Sequence, residues 1–268
     1  MIGKEDLARW LICLTAGAVI GACSDAAIKP PETQRDFVAC PIVQDTPTVP
    51  CYLAEYDGEL YYLGIQTDIS ADFDPPFFGH KALIEGTVTN EPRICGGIVL
   101  KPVMASPLPE LDKSCNEFRP DAGEYTVPFA PRPPGPSGGR LAYQKPPAPP
   151  EVLKPPYQPR DFELQYDFDM LVMGRHADVL NKIFNYAQEV GASRVVVTGY
   201  QAQTLLSDGS VMTETEDLAK RRAEEVADLL KQAGLDTIPI EVTSVDEPIK
   251  GTGVGDWHNR KTIVRVEP

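Results

Sequence analysis

The most informative chemical residue in the sequence is an arginine in a predicted helix near the carboxy terminus. In Thr215–Ala233 the apolar residues recur at helical spacing. Arg222 lies four residues after Leu218 and four before Val226, at the edge of the core-facing stripe, where a charge needs an anionic partner. Its guanidinium presents a fork of N–H donors that fits a carboxylate, supplied either by a ligand or by the chain itself. Candidate acids of the chain are Asp246, Glu247 and Asp256.

No catalytic set of side chains can be assembled from the sequence. Neither Ser193 nor Ser244 has a histidine at the spacing of a known nucleophile motif. The glycines of Gly251–Gly255 do not open a helix or supply the lysine of a phosphate-binding loop, and we expect them to let the chain turn tightly before Trp257. We therefore predict a protein that is not an enzyme and has no metal or other cofactor.

The composition limits the class of partner. The chain has 268 residues, with 39 acidic and 25 basic side chains and a formal net charge of −14. Such an acidic chain repels the phosphates of nucleic acid, so we expect no nucleic-acid partner. Hydrophobic residues make up 42% of the sequence, which is enough for two small domains with their own cores.

The elements that position Arg222 lie in residues 161–268. The first is a strand, and the second is an amphipathic helix that ends before Gly191. Together with the Arg222 helix, the pattern gives the order β-α-β-α-β-β, which predicts an α+β sandwich with helices on one face of a mixed sheet. The other predicted elements are strands Phe162–Phe168, Arg194–Gly199, Ile238–Ser244 and Thr262–Val266 and helix His176–Val190.

Three motifs in this half of the chain resemble the OmpA-like carboxy-terminal domain, which also occurs in peptidoglycan-associated lipoproteins. They are Val195-Val196-Val197-Thr198-Gly199-Tyr200, the run from Leu218 to Val226, and Asn259-Arg260-Lys261 before the last strand. Phe168-Asp169 matches the family's early Phe-Asp. The resemblance covers residues 161–268, with the motifs in the family's order.

The resemblance implies non-covalent binding of the peptidoglycan stem peptide, with diaminopimelate held by an arginine and an aspartate. The arginine falls on Arg222, but the aspartate's position is Ala202, so the implied site is degenerate. The loop Gln203–Asp217 is longer than in the family, and its acids Asp208, Glu214, Glu216 and Asp217 are candidate substitutes. The residues implied to bind peptidoglycan are Arg222, Leu218, Gly199, Tyr200, Ala202, Asn259 and Arg260.

Residues 1–22 are predicted to be a lipoprotein signal peptide. Trp10–Ala22 is apolar but too short to cross a bilayer as a helix. Ile20-Gly21-Ala22-Cys23 resembles the bacterial lipobox, in which Cys23 receives acyl chains such as palmitate; the alternative is an ordinary signal peptide with a chance cysteine. Ser24 resembles the outer-membrane type, so we expect a lipid anchor in the outer membrane, with the protein facing the periplasm or displayed at the cell surface.

After a tether over residues 23–36, residues 37–120 are predicted to form a small β domain, either a barrel or OB-like. Short strands are expected over Leu60–Ile65, Lys81–Val88 and Gly96–Val103, with turn residues between them. Its aromatic residues are expected in the core, although a binding face is the alternative. They are Tyr52, Tyr56, Tyr61, Tyr62, Phe77 and Phe78.

The cysteines of the mature chain other than Cys23 all lie in this β domain. An even number in one small domain of an exported protein predicts disulfides, and a zinc site is the alternative. Proximity in sequence favours Cys40 with Cys51 and Cys95 with Cys115 among the three pairings.

Residues 121–160 are predicted to be a proline-rich linker. The stretch Pro128–Pro159 holds 12 of the chain's 27 prolines. Such a composition favours the extended polyproline II conformation, which acts as a semi-rigid spacer.

Two functions fit these observations. The leading prediction is an outer-membrane lipoprotein that tethers the envelope to peptidoglycan through its OmpA-like domain, with a degenerate diaminopimelate site. The alternative is an envelope scaffold or interaction protein whose OmpA-like domain has lost peptidoglycan binding and whose β domain binds an envelope protein.

Overall fold

The computed structural model describes residues 32–65, 75–76, 78–127, 154–171 and 177–268. The predicted signal peptide, the lipidation site Cys23, Phe77 and most of the proline-rich linker lie outside the described residues. Within those ranges, no helix has the length and apolar character needed to cross a membrane.

The amino-terminal unit is a seven-stranded mixed sheet. The strand order is β1-β5-β6-β4-β3-β2-β7, and among the described residues its end strands β1 and β7 do not pair with each other. The sheet is therefore β structure as predicted, but its hydrogen bonds do not close it into the expected barrel. The strands are β1 Gln34–Ala39, β2 Pro41–Gln44, β3 Cys51–Tyr56, β4 Glu59–Gly64, β5 His80–Val88, β6 Ile98–Leu111 and β7 Glu117–Arg119.

Strand β5 is buried on both faces of this sheet. Ile84 points into the unit's own core, where it clusters with Phe37 and Tyr61. Leu83 and Glu85 point to the opposite face because side chains alternate along a strand, and they too are fully buried. A second layer must therefore cover that face. The expectation of core aromatics is confirmed for Tyr61 and is wrong for Phe78, which is 51% exposed.

The two disulfides join Cys40 to Cys115 and Cys51 to Cys95, so the predicted pairing was wrong. The reason is strand pairing between distant parts of the chain. Strand β7 pairs in parallel with β2, and this brings Cys115, just before β7, next to Cys40, just before β2. Proximity in sequence cannot reveal such a parallel pairing.

The carboxy-terminal unit is a five-stranded mixed sheet with two helices. Its strand path is β10-β9-β12-β8, with β11 pairing in parallel to β9. The predicted order β-α-β-α-β-β is confirmed, with the short strand β10 added after β9. The elements are β8 Arg160–Gln165, α1 Ala177–Val190, β9 Arg194–Leu205, β10 Val211–Thr213, α2 Leu218–Leu230, a π-helical turn Lys231–Leu235, β11 Ile240–Ile249, a 3-10 turn Asp256–Asn259 and β12 Lys261–Glu267.

Strand β9 continues beyond its predicted end at Gly199 and forms a hairpin with β10. The antiparallel register pairs Leu205 with Val211 and Gln203 with Thr213. Beyond the hairpin, the main-chain N–H of Glu214 donates to the carbonyl of Ala202 at 3.1 Å. Part of the long loop predicted from the sequence is thus an ordered hairpin that returns Glu214 to Ala202, near the carboxy-terminal end of β9.

The carboxy-terminal unit is the layer that covers the second face of the amino-terminal sheet. Leu83 clusters with Phe168 and Leu206 across the boundary between the units. The carboxylate of Glu85 forms a buried ion pair with Arg260. The units on either side of the proline-rich segment therefore touch, which corrects the expectation that this segment holds them apart.

Candidate functional site

Gly199 allows helix α2 to lie directly on strand β9. A Cβ atom at this position would lie 1.8 Å from the carbonyl oxygen of Ala219, far inside van der Waals contact. A glycine is therefore needed for the helix to approach this closely. The close approach places Arg222 of α2 against the backbone of β9, where its side chain is fully buried.

The guanidinium of Arg222 uses every N–H donor it has. Nε donates to the carbonyl of Met170 at 3.0 Å. Nη1 donates to the carbonyl of Tyr200 at 3.1 Å and to Glu214 Oε2 at 3.0 Å. Nη2 donates to Glu214 Oε1 at 2.7 Å and to the carbonyl of Asp167 at 3.4 Å. A guanidinium has five N–H donors, so none is left for a ligand.

The carboxylate of Glu214 accepts four hydrogen bonds. Besides the two contacts from Arg222, Oε2 accepts the main-chain N–H of Ala202 at 2.8 Å, and Oε1 accepts that of Asp169 at 3.0 Å. The guanidinium carbon of Arg222 lies over the ring of Tyr166, 4.5 Å from the ring centroid. Arg222 and these two N–H groups together form a receptor for one carboxylate, and Glu214 fills it.

Asp169 forms hydrogen bonds with Thr215, the residue that follows Glu214. Its carboxylate accepts the main-chain N–H and the hydroxyl of Thr215, each at 2.7 Å. Asp169 itself has a positive φ of 58°, which turns its own N–H towards Glu214. The Phe168-Asp169 motif therefore helps to build the carboxylate receptor and to hold its occupant.

The acids proposed from the sequence as internal partners of Arg222 were wrong. The Asp246 carboxylate accepts a hydrogen bond from Ser244. That of Asp256 accepts the main-chain N–H groups of Leu205, Thr252 and Gly253. This arrangement folds the glycine loop tightly before Trp257, as expected, with Gly253 and Gly255 at positive φ.

The other residues implied to bind peptidoglycan have structural roles around Arg222. Leu218 packs in the core, and Gly199 admits the helix. Tyr200 contributes its carbonyl to Arg222, and the fully buried Ala202 contributes its N–H to Glu214. Asn259 lies, partly buried, in the 3-10 turn.

Arg260 lies at the boundary between the two units instead of beside Arg222. Nη1 donates to Glu85 Oε1 at 3.2 Å and to the hydroxyl of Thr204 at 3.2 Å, and Nη2 donates to Glu85 Oε2 at 2.5 Å. Both charged side chains are buried. Burial raises the pKa of Glu85, and the charge of Arg260 opposes that rise.

Comparison with known proteins gives similarity to solved structures only. No protein-family model matches the sequence, and no curated protein matches it significantly. The OmpA-like domain of FopA1 from Francisella tularensis subsp. tularensis SCHU S4 is 20% identical, over 41% of this chain and 73% of that chain, with a TM-score of 0.32. The cell wall anchor of the T6SS from Pseudomonas aeruginosa is 21% identical, over 40% and 80%, with a TM-score of 0.30.

The element order of residues 160–267 is the one that the resemblance to the OmpA-like family implies. The site inside the carboxy-terminal unit is a buried carboxylate receptor that holds an acid of the same chain.

Proposed function

We propose that this protein is an envelope scaffold or interaction protein in which the OmpA-like unit does not use Arg222 to bind the cell wall. One observation carries the proposal: all five N–H donors of Arg222 have acceptors within the chain. In the OmpA-like family the matching arginine is implied to hold the free carboxylate of diaminopimelate. Here Glu214 occupies that place.

Displacing Glu214 by a ligand is unfavourable for two physical reasons. The glutamate is attached to the same sheet through the β9–β10 hairpin, so its local concentration at the receptor is in the millimolar range or above. Once displaced, its charge would need a new partner or a path to solvent, because the side chain is fully buried. Ala202 adds a third obstacle, since a methyl group cannot bind the ammonium of a zwitterionic ligand.

The second candidate function is a peptidoglycan tether. The observation in its favour is that the receptor groups are complete, with a guanidinium fork and two main-chain N–H groups that converge on one carboxylate. A stem peptide would bind there if its carboxylate exchanged with that of Glu214. This exchange is the step on which the two functions differ.

The proposal includes lipid attachment at Cys23, placement in the outer membrane facing the periplasm, and the absence of catalytic activity. The disulfides support an oxidising compartment outside the cytoplasm. The partner we propose for the scaffold is another envelope protein. Incorporation of labelled palmitate by the wild type, but not by Cys23→Ser, tests the lipid anchor.

Sedimentation of the full-length chain with intact peptidoglycan sacculi tests the choice between the two functions. We expect the wild type to stay in the supernatant, together with Glu216→Ala, a control at an exposed acid of the same loop. Pelleting of the wild type would overturn the scaffold proposal, and its loss in an Arg222→Ala protein that keeps the wild-type circular dichroism spectrum would establish the tether. A version carrying Glu214→Ala and Ala202→Asp restores both family features, and we expect it to gain binding if it remains folded.

A further inference from the structure

We propose that the amino-terminal and carboxy-terminal units form a clasp that takes up a proton when it closes, so that it is tight in acid and loosens as the pH rises. The clasp is the contact between the face of β1 and β5 that carries Asp36 and Glu85 and the segments of the other unit around Leu206 and Arg260. It is distinct from the Arg222 site and does not depend on whether peptidoglycan is bound.

The closed clasp is held by main-chain bonds and apolar contacts. The N–H of Ser207 donates to the carbonyl of Asp36 at 2.8 Å. The N–H of Asp36 donates to the hydroxyl of Ser207 at 2.9 Å. Beside them, Leu83 packs against Phe168 and Leu206. These contacts bury the polar groups of the boundary and remove them from water.

The buried boundary contains more acids than bases. Arg260 is bound through both terminal nitrogens to Glu85, and Glu85 lies opposite Asp36 in the β1–β5 register. Asp256 of the other unit adds its negative charge to the fields at both of these carboxyls. The boundary therefore holds one guanidinium, which is paired with Glu85, and two further carboxyl groups, which leaves an excess of negative charge in a poorly solvated place.

Asp36 is the carboxyl without an ionic partner. Its Oδ1 accepts the side-chain N–H of Gln34 at 2.9 Å. Its Oδ2 is buried and has no hydrogen-bond partner among the described residues. The nearest base on its own strand, Arg35, points to the other face and donates to the hydroxyl of Tyr61. Asp208, in the loop of the other unit, is itself an acid that accepts a hydrogen bond from Ser210, so it cannot neutralise Asp36.

The direction of the pH dependence follows from this environment. Burial raises the pKa of Asp36 from 3.8 to about 7, and the charges of Glu85 and Asp256 act in the same direction, against hydrogen bonding from the Gln34 side chain and the Gly86 main chain. An opened clasp hydrates Asp36 and returns its pKa towards the ordinary value. Between about pH 4 and 7 the closed form therefore holds a proton that the open form releases, and closure weakens by up to about tenfold per pH unit as the pH rises.

Hydrogen exchange at the amide of Ser207 tests the clasp directly, because this amide bonds across the boundary. The experiment uses the full-length chain in detergent, with rates divided by the intrinsic rate at each pH. We expect the protection of Ser207 to fall by at least tenfold between pH 5 and pH 7.5. The amide of Val197, inside the carboxy-terminal sheet, should keep its protection. Protection of Ser207 that stays constant or increases over this range would overturn the proposal.

The variant Asp36→Asn removes the titrating group and keeps its shape. We expect Ser207 protection in this variant to lose most of its pH dependence, whereas the exposed control Asp121→Asn should follow the wild type. An Asp36→Asn protein with the same pH dependence as the wild type would assign the effect to another group and overturn the role of Asp36. If this variant does not fold, titration of the Asp36 carboxyl carbon by NMR in the wild type measures directly whether its pKa is raised. A midpoint below pH 5 would contradict the proposal.

Discussion

Glu214 binds Arg222 through both carboxylate oxygens, 2.7 and 3.0 Å from the two terminal nitrogens, and neither side chain is reached by solvent. The pair is local in sequence, eight residues apart, but it exists only because the β9–β10 hairpin turns the chain back. A buried, bidentate ion pair with further main-chain donors is the arrangement in which loss of one partner is most damaging.

Glu214→Ala should therefore destabilise the protein by about 3 to 5 kcal/mol, because it leaves the Arg222 guanidinium buried without an anion. The free energy of unfolding in urea measures the effect. Glu216→Ala, in the same segment but exposed, should change it by less than about 0.5 kcal/mol. Equal effects of the two changes would contradict the importance assigned to the pair.

Acetate should restore part of the stability lost in Glu214→Ala. A small carboxylate fits the receptor formed by Arg222 and the N–H groups of Ala202 and Asp169, and a ligand that binds the native state stabilises it. The unfolding midpoint should rise with acetate and not with chloride at equal ionic strength. The double variant Glu214→Ala with Arg222→Met should show no such difference between the two anions.

Gly199→Ala should destabilise the protein strongly, because the added methyl group would lie 1.8 Å from the carbonyl oxygen of Ala219 and force α2 away from β9. We expect a loss of at least about 2 kcal/mol in thermal or urea unfolding. Gly209→Ala is the comparison, because a methyl group there meets no atom within 4 Å; with a φ of 86° it should lose only about 1 kcal/mol.

Replacing one member of the Glu85–Arg260 pair should be worse than replacing both. Glu85→Leu leaves the buried Arg260 uncompensated and should lower the free energy of unfolding by about 3 to 5 kcal/mol. Glu85→Leu combined with Arg260→Met should recover most of that loss. Strictly additive effects in this double-mutant cycle would show that the two units are not coupled through the pair.

The disulfide pairing can be checked without any substitution. Digestion of the unreduced protein followed by mass spectrometry should yield peptides that join Cys40 to Cys115 and Cys51 to Cys95. Peptides that join Cys40 to Cys51 would contradict the strand pairing of β2 with β7, which depends on the same neighbourhood.

The sequence was a good guide wherever the signal was local. Helical spacing placed Arg222 at the core edge and correctly required an anion, and the order of strands and helices followed from the change of period along residues 160–267. The partner of Arg222 was missed because it is delivered by a hairpin whose short second strand, Val211–Thr213, carries no alternating pattern. Glu214 is one of four candidate acids in this loop, and no sequence signal distinguishes it from its neighbours.

Contacts between distant segments were beyond sequence patterns. The family resemblance implies that Arg260 binds the cell wall, but its partner in the structure, Glu85, lies 175 residues earlier in the chain. The disulfide pairing failed for the same reason, since parallel pairing of β7 with β2 joins segments that are far apart in sequence. In both cases the information lies in the packing of sheets and not in any local pattern.

Because of the boundary between the units, we expect that the carboxy-terminal half cannot be isolated without changing its surface. Without the amino-terminal unit, a fragment of residues 161–268 would expose Phe168 and Leu206 to water and leave Arg260 without its partner Glu85. We expect such a fragment to self-associate through the newly exposed apolar surface. Binding measured with it would then reflect this surface as well as the native one. The two halves therefore depend on each other to cover apolar and charged groups at their boundary.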